Sequence, residues 1–153
     1  MRMPKERTGC ADMGTLAEDY DLDAQVGYLL RLASQRHAVI FQQHSPDGLT
    51  PTQFTTLMRV SEQGTVSQNQ LGRLAAMDVA TIKGVVDRLR AKGLVTSQAD
   101  PGDKRRSLIS LTPAGRALIG DLKRAGAAIT EATLAPLSDA ERRTLVQLLA
   151  KIS

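Results

Sequence analysis

The sequence predicts a mostly α-helical fold that carries one small β-hairpin. Along most of the 153-residue chain, apolar residues recur at intervals of three and four, which is the spacing of one face of an α-helix. The pattern changes around "ADPGDKRR", where the short β-prone segments "LVTSQ" and "SLISL" flank a Pro-Gly turn. Two short strands separated by turn residues are typical of a hairpin with a charged tip.

Capping residues predict where the helices begin and end. The first helix should cover about residues 22–44, and "SPDGL" breaks it. Side-chain oxygens of Thr, Ser and Asp accept hydrogen bonds from the free amides of a first helical turn. We therefore expect the following helices to start at Thr50, Ser67, Asp78, Thr112 and Ser138. Capping boxes are expected for Thr50 with Gln53, Ser67 with Gln70, and Ser138 with Glu141. Gly64 and Gly93 should end the second and fourth helices.

Composition excludes several classes of protein. Apolar residues make up 42% of the chain, enough for a real core. A single cysteine, Cys10, and two histidines argue against an internal disulfide and against structural zinc. No run approaches the ~18 apolar residues of a membrane span, and the N-terminus lacks the apolar core of a signal peptide. We expect a cytoplasmic protein without metal or cofactor, in which residues 1–20 form a mobile leader and residues 21–153 form one domain.

The positive charge is concentrated in the middle of the chain. Residues 63–124 contain eleven Lys or Arg and five Asp or Glu, a net charge of +6, whereas residues 1–62 have six against eight, or −2. Such a basic segment is typical of a nucleic-acid surface. None of the four aromatic residues follows residue 54. Because single strands and RNA loops are usually held by stacking on aromatic rings, double-stranded DNA is the expected partner.

Two consecutive helices and the hairpin predict a winged helix-turn-helix over about residues 50–112. The second helix of such a unit lies in the major groove, where each base pair has a distinct pattern of donors and acceptors. Its first turns contain Ala80, Thr81 and Lys83 as candidate base or phosphate contacts. Ser67, Gln68 and Asn69, at the start of the preceding helix, are candidate phosphate contacts, because helix N-termini direct amides at anions. Arg88, on the face of the second helix that is not apolar, is another.

The hairpin tip contains three consecutive cations after an aspartate. Lys104, Arg105 and Arg106 can follow one DNA strand, and Arg105 can enter the adjacent minor groove, where the potential is most negative when the groove is narrow. Asp103, two residues before Arg105, is expected to hold its guanidinium in a fixed orientation.

At these residues the sequence resembles the MarR family of winged helix-turn-helix regulators. The family signature, an Asp-x-Arg followed by Leu-Thr-x-x-Gly, corresponds to "DKRRSLISLTPAG" here, and "QLGRLAAMDVATIKGVVDRLRAKGLV" matches in length and apolar pattern. The resemblance implies a homodimer held together by the helices at about residues 22–45 and 113–152. It also implies an inverted-repeat operator and Arg105 as the residue that enters the minor groove. Gly84 stands where many members have Arg or another polar residue, so one common DNA contact is missing.

The same resemblance implies control by a small aromatic acid. The run "LGRLAAMDVATIKGVVDRL" looks like a subgroup associated with aromatic-acid and nicotinate breakdown. The chain is thus expected to be a repressor released by an acid such as a hydroxynicotinate. Arg36 and His37 would pair with its carboxylate, and Phe41, Phe54 and Met58 would supply apolar walls.

Alternatives to each of these roles remain open. Arg36 and Arg88 can be solvated surface charges, His37 can be an interface histidine, and Phe41, Phe54 and Met58 at helical spacing can be core residues. Cys10 allows a redox-responsive regulator of the same fold, and a thioester is another conceivable effector. A winged-helix module that binds protein instead of DNA is a third possibility. An enzyme is not expected, because no paired carboxylates, activated nucleophile or phosphate loop is visible.

Overall fold

The computed structural model describes residues 20–153. The leader predicted for residues 1–20, with Cys10, lies outside this range apart from Tyr20. Within it the helices are α1 (Val26–His44), α2 (Pro51–Gln63), α3 (Gln68–Leu74), α4 (Val79–Ala91), α5 (Pro113–Leu134) and α6 (Asp139–Ile152). The strands are β1 (Thr65–Ser67), β2 (Val95–Ala99) and β3 (Ser107–Leu111). Short 3-10 turns precede α1 at Leu22–Ala24 and α2 at Pro46–Gly48.

Of the residues that the structure describes, those up to Arg36 form one compact unit and residues 37–153 form another. In the described part of the first unit, the helix predicted from about residue 22 begins only at Val26. Asp21 caps a separate 3-10 turn, and Gln25 is extended at φ −78° and ψ 129°, which interrupts the helix. Further along α1, the Arg31 guanidinium lies 5.3 Å from the centre of the Tyr28 ring, a cation–π contact.

The predicted caps form at the helix starts of the second unit. Capping boxes are present at Thr50 with Gln53 and at Ser138 with Glu141. At α3 only half of the expected box is present: the Gln70 amide donates to Ser67 Oγ at 3.3 Å, without the reciprocal bond. Ser67 is also the last residue of β1, where its main chain pairs with Leu108.

The sheet contains three strands, in the order β1-β3-β2, all antiparallel. The predicted hairpin is β2 and β3, with Ser97 opposite Ile109. The sequence missed β1, whose Val66 also pairs with Ile109. Three residues are too few to show an alternating pattern in the sequence. The wing is therefore attached to the helix-turn-helix by hydrogen bonding along a third strand.

A single hydrophobic core connects the sheet to α2, α3, α4 and α5. Its most deeply buried large side chains, each below 2% exposed, include Leu57, Leu71, Ile82, Leu89, Ile109 and Leu122. In contrast, α6 contains no buried residue. The sheet and helices α2 to α5 thus share a closed core, whereas α6 is not packed into it.

The start of α5 is tied to the end of α4 and the base of the wing. Thr112 Oγ1 donates to the Gly93 carbonyl at 2.6 Å, and the Thr112 amide donates to the Leu94 carbonyl at 3.1 Å. A Cβ added at Gly115 would overlap the Leu94 carbonyl oxygen, so only glycine fits there. Arg116 Nη1 donates to the Leu111 carbonyl at 2.7 Å, which secures the end of β3.

Candidate nucleic-acid interface

Helix α4 has one buried face and one exposed face. Ile82, Val85, Val86 and Leu89 are at most 2% exposed and fix the helix to the core. The predicted contacts lie on the rest of the surface, and all are exposed: Ala80, Thr81, Lys83 and Arg88. This arrangement leaves α4 free to enter a groove, as the second helix of a helix-turn-helix must.

Asp78 organises the first turn of α4. Its Oδ1 accepts the Thr81 amide at 2.7 Å. Hydrogen bonds from the Thr81 main chain and side chain hold the pKa of the Asp78 carboxyl below its ordinary value, because they stabilise the charged form. The cap therefore stays ionised at neutral pH and fixes the position of the turn that contains Ala80 and Thr81.

The tight turn between α3 and α4 depends on a glycine. A Cβ added at Gly72 would lie 3.1 Å from the Met77 carbonyl oxygen and 3.2 Å from Ile82 Cγ2. The Met77 amide donates to the Gly72 carbonyl at 2.8 Å, and Ala76 adopts the left-handed φ of 53°. The sequence pattern alone does not identify a role for Gly72. Its role is to allow the two helices to pack closely.

The wing tip is held by its own main chain. The Asp100 amide donates to the Arg106 carbonyl at 2.9 Å, and the Arg106 amide donates to the Asp103 carbonyl at 2.9 Å. The predicted contact between Asp103 and the Arg105 guanidinium is wrong: Asp103 Oδ1 instead accepts the main-chain amide of Arg105 at 3.0 Å. A side chain two residues back reaches the amide more readily than the end of a long arginine, as in an Asx-turn. Asp103 therefore shapes the loop and leaves the guanidinium exposed.

The wing and the start of α3 meet at one small polar cavity. Its volume is about 70 Å³, and its lining residues are Ser67, Gln68, Asn69, Arg105, Arg106 and Ser107. Five of these six were predicted DNA contacts from two separate segments. Ser67 differs from the others because it is only 6% exposed and its hydroxyl caps α3. Arg106 is partly compensated by Asp100, with Nε 4.0 Å from Oδ2.

An ion pair that the sequence analysis missed lies on α4. Lys83 Nζ is 2.9 Å from Asp87 Oδ2, and Arg90 Nη1 is 3.9 Å from Asp87 Oδ1. The spacing of four residues between Lys83 and Asp87 was the available signal, since residues at i and i+4 are neighbours on a helix surface. The candidate base contact Lys83 is thus not a free cation.

The predicted effector residues fall into different environments. His37 is exposed, and its Nδ1 is 2.9 Å from Thr133 Oγ1 on α5. Phe41 is 7% exposed, and its ring meets the Phe54 ring edge to face at 5.6 Å. Phe54 and Met58 are half-buried and pack against the main core. Arg36 is exposed on α1.

One cavity of the second unit includes a predicted apolar wall. It has a volume of about 330 Å³ and is lined by Ala38, Phe41, Gln42, Ser45, Gly48, Leu49, Thr50 and Pro51. Of the predicted effector residues only Phe41 lines it. Phe54 and Met58 are placed as core residues, the alternative that their helical spacing also allowed.

Residues 20–153 contain no cluster of three or more His, Cys, Asp or Glu side chains that could hold a metal ion. Over the same range, no helix is both long enough and apolar enough to cross a bilayer.

Comparisons with known proteins agree with this geometry. The family model described as the MarR family matches residues 49–107. The HTH-type transcriptional repressor NicR of Pseudomonas putida is 42% identical over 134 residues, which cover 87% of this chain and 85% of NicR.

Two solved structures share the fold. A probable transcriptional regulator from Pseudomonas aeruginosa is 53% identical with a TM-score of 0.84, over 87% of this chain and 100% of that one. Bordetella bronchiseptica BpsR is 43% identical with a TM-score of 0.82, over 87% and 96% of the two chains. Its structure is described as explaining how 6-hydroxynicotinic acid regulates DNA binding by BpsR.

Proposed function

Because the chain belongs to the MarR family of winged helix-turn-helix transcriptional regulators, we propose that it is a homodimeric repressor that a hydroxylated pyridine carboxylic acid releases from an inverted-repeat operator. It binds double-stranded DNA as a regulator of transcription. We assign it no catalytic role, and we place it in the cytoplasm, where a bacterial regulator meets its DNA.

The observation that carries the DNA-binding assignment is that the start of α3 meets both the wing and the start of α4. Asn69 lines one cavity with Arg105 and Arg106 and another with Asp78 and Val79. The exposed side of α4 supplies Ala80, Thr81, Lys83 and Arg88. The start of α3 and the wing supply Gln68, Asn69, Arg105 and Arg106 around a shared cavity. In the proposed complex α4 reads base edges in the major groove, Arg105 enters the minor groove, and Lys104 follows the backbone. Asp103 and Ser67 act by shaping the wing and capping α3.

Dimer formation is supported by the uncovered apolar face of α6. Val146, Leu148, Leu149 and Ile152 are 54%, 53%, 37% and 68% exposed. A groove of about 410 Å³ runs beside them, lined by Leu137, Ala140, Glu141, Thr144, Leu145 and Leu148. An apolar face of this kind is typical of an interface. We propose that residues 22–45 and 113–152 form it with a second copy, which holds two half-sites about one helical turn apart.

The effector proposal rests on the similarity to BpsR and on the environment of His37. The BpsR structure concerns 6-hydroxynicotinic acid, and the two chains are 43% identical. His37 presents an exposed imidazole one turn before the Phe41 ring, with the two ring centres 6.4 Å apart. We propose that Arg36 and His37 bind the carboxylate and that Phe41 contacts the ring. Phe54 supports Phe41 from the core side, and Met58, half-buried beside the core, adds a further apolar wall.

Fluorescence anisotropy tests the function directly. A labelled duplex from upstream of the protein's own gene is titrated with protein at fixed salt, and the complex is then titrated with 6-hydroxynicotinic, nicotinic and benzoic acids. We expect tight binding to this duplex and release by 6-hydroxynicotinic acid at the lowest concentration. Binding no tighter than to a shuffled duplex would contradict the regulator, whereas tight binding unaffected by every acid would contradict only the effector.

The residues of the effector site need their own controls. Arg36→Ala and His37→Ala should bind DNA as the parent does but require at least tenfold more acid for release. His44→Ala is the matched control, because His44 lies on the same helix and its Nδ1 donates to the Ile40 carbonyl one turn back, at 2.8 Å. If the His37 and His44 variants respond alike, the carboxylate binds elsewhere.

A further inference from the structure

Helix α4, the proposed recognition helix, contains one acidic residue, Asp87. Along α4 the charged residues are Lys83, Asp87, Arg88 and Arg90. Asp87 follows Ile82 by five positions, which turns it roughly 140° away from the buried face. A carboxylate there faces outward on the helix that approaches DNA, where it repels phosphates. Its presence is therefore a cost to general DNA affinity.

The structure shows what this carboxylate holds. Asp87 Oδ2 accepts from Lys83 Nζ at 2.9 Å, and Oδ1 lies 3.9 Å from Arg90 Nη1. The hydrogen bond from Lys83 lowers the pKa of the Asp87 carboxyl, so the pair is ionic at neutral pH. Both side chains are well exposed, 66% for Lys83 and 48% for Asp87. A pair that is this exposed contributes little to stability.

The consequence for DNA binding follows from the origin of non-specific affinity. That affinity comes from cations that neutralise phosphates and release counterions, and it is independent of sequence. A lysine that is already paired with a carboxylate on its own helix contributes less to this term. Contacts to base edges depend instead on position, which the pair restricts.

We propose that Asp87 is a specificity-determining positioning residue, which directs Lys83 along α4 and withholds its charge from unrelated DNA. The inference rests on the proposed DNA-binding function and deepens it. Asp87 acts through Lys83 and itself contacts no base. Its effect is a larger ratio of operator affinity to non-specific affinity, at the expense of total affinity.

The test compares four proteins on two duplexes. Parent, Asp87→Asn, Lys83→Ala and the double variant are titrated onto the operator duplex and a shuffled duplex of equal length, each at several salt concentrations. In Asp87→Asn we expect three- to tenfold tighter binding to the shuffled duplex and less than twofold tighter binding to the operator. The salt slope on the shuffled duplex should steepen by about 0.9, the value for one further phosphate contact.

The double variant decides whether Asp87 acts through Lys83. When Lys83 is absent, the Asp87→Asn change should steepen the salt slope on the shuffled duplex much less than it does when Lys83 is present, because only the more distant Arg90, 3.9 Å from Asp87 Oδ1, remains to be released. An equal steepening in both backgrounds would overturn the proposal, as would equal tightening on the two duplexes in Asp87→Asn.

Glu62→Gln is the matched control. It removes the same charge from a comparable surface pair, Arg59 Nη1 to Glu62 Oε2 at 2.8 Å on α2. It should change neither the salt slope on the shuffled duplex nor the ratio of operator affinity to non-specific affinity. If this ratio falls as far as in Asp87→Asn, the effect is explained by net charge alone.

If the parent binds neither duplex, the proposed function itself fails. If the parent prefers its operator and Asp87→Asn leaves that preference unchanged, only the role of Asp87 fails.

Discussion

The winged helix-turn-helix and the last helix differ in how they use their apolar residues. In α4 the apolar face is closed against the core, with Ile82 and Leu89 at 0% exposed. In α6 the equivalent face is open, with Val146 and Ile152 at 54% and 68% exposed. Both helices are capped by a side chain, since Asp78 and Ser138 each accept from the amide three residues on, at 2.7 Å and 3.3 Å. Local signals thus specify both helices, but only α4 is given its packing partner by its own chain.

Deleting α6 is expected to have the largest effect on function. A chain that ends before Ser138 loses no buried residue of that helix, so the winged unit should keep its helical circular dichroism. It should nevertheless become monomeric in light scattering and lose at least a hundredfold in operator affinity, because two half-sites are no longer held together. A truncated monomer that binds as tightly as the parent would contradict the assigned role of α6.

A pair of leucine substitutions separates the two kinds of apolar face. Leu89→Ala should destabilise the fold by about 2–5 kcal/mol, because it opens a cavity in the core. This loss should be the same at every protein concentration. Leu148→Ala should instead shift Tm by an amount that depends on concentration, since the α6 face acts through association. Thermal unfolding at several concentrations measures both, and a concentration-independent loss in Leu148→Ala would contradict the interface.

Arg105→Ala tests the wing without touching the core. The side chain is exposed, and its main-chain amide remains available to Asp103 Oδ1. We expect operator binding weaker by about 1–3 kcal/mol, a salt slope smaller by about one, and an unchanged Tm. Arg59→Ala is the control, because Arg59 is an exposed arginine of α2 paired with Glu62. Equal losses of affinity in the two variants would remove the special role of Arg105.

The smallest expected effect concerns the cap of α4. Because the folded-state pKa of Asp78 is lowered, its contribution to stability is present above the unfolded-state pKa. That contribution is lost as the pH falls through the folded-state value. Asp78→Ala should therefore lower Tm at neutral pH by less than Leu89→Ala does, and the difference from the parent should narrow in acid. Asp78→Asn, whose amide oxygen caps without titrating, should exceed Asp78→Ala in Tm by an amount that does not depend on pH. A constant offset between the parent and Asp78→Ala would contradict the ionised cap.

Local chemistry explains which parts of the fold the sequence could predict. A cap requires one side chain and an amide three residues away, so Thr50, Asp78 and Ser138 were identified correctly. Strand β1 was missed because its three residues are defined by pairing with β3, 40 or more residues later. The break at Gln25 was missed for a related reason, since the apolar spacing continues across it.

The charged residues of the candidate site could be predicted from the sequence. The partners of individual side chains could not, because they depend on loop geometry and packing. Three consecutive cations at a turn are visible in the sequence, and the structure places Arg105 and Arg106 beside the start of α3. The partner of the Asp103 carboxylate depended on loop geometry, which a spacing of two residues does not determine. Phe54 and Met58 fitted both a pocket wall and a core, and only packing separates these alternatives.

The contacts at Thr112 and Gly115 form a rigid joint between the base of the wing and the start of α5. The Leu94 carbonyl lies against both residues. We therefore expect the wing and the end of α4 to follow any rotation of α5. Bending at this joint would break the Thr112 hydrogen bonds and press α5 into the main chain. The wing and the end of α4 should therefore move together, with the angle between the wing and α4 unchanged.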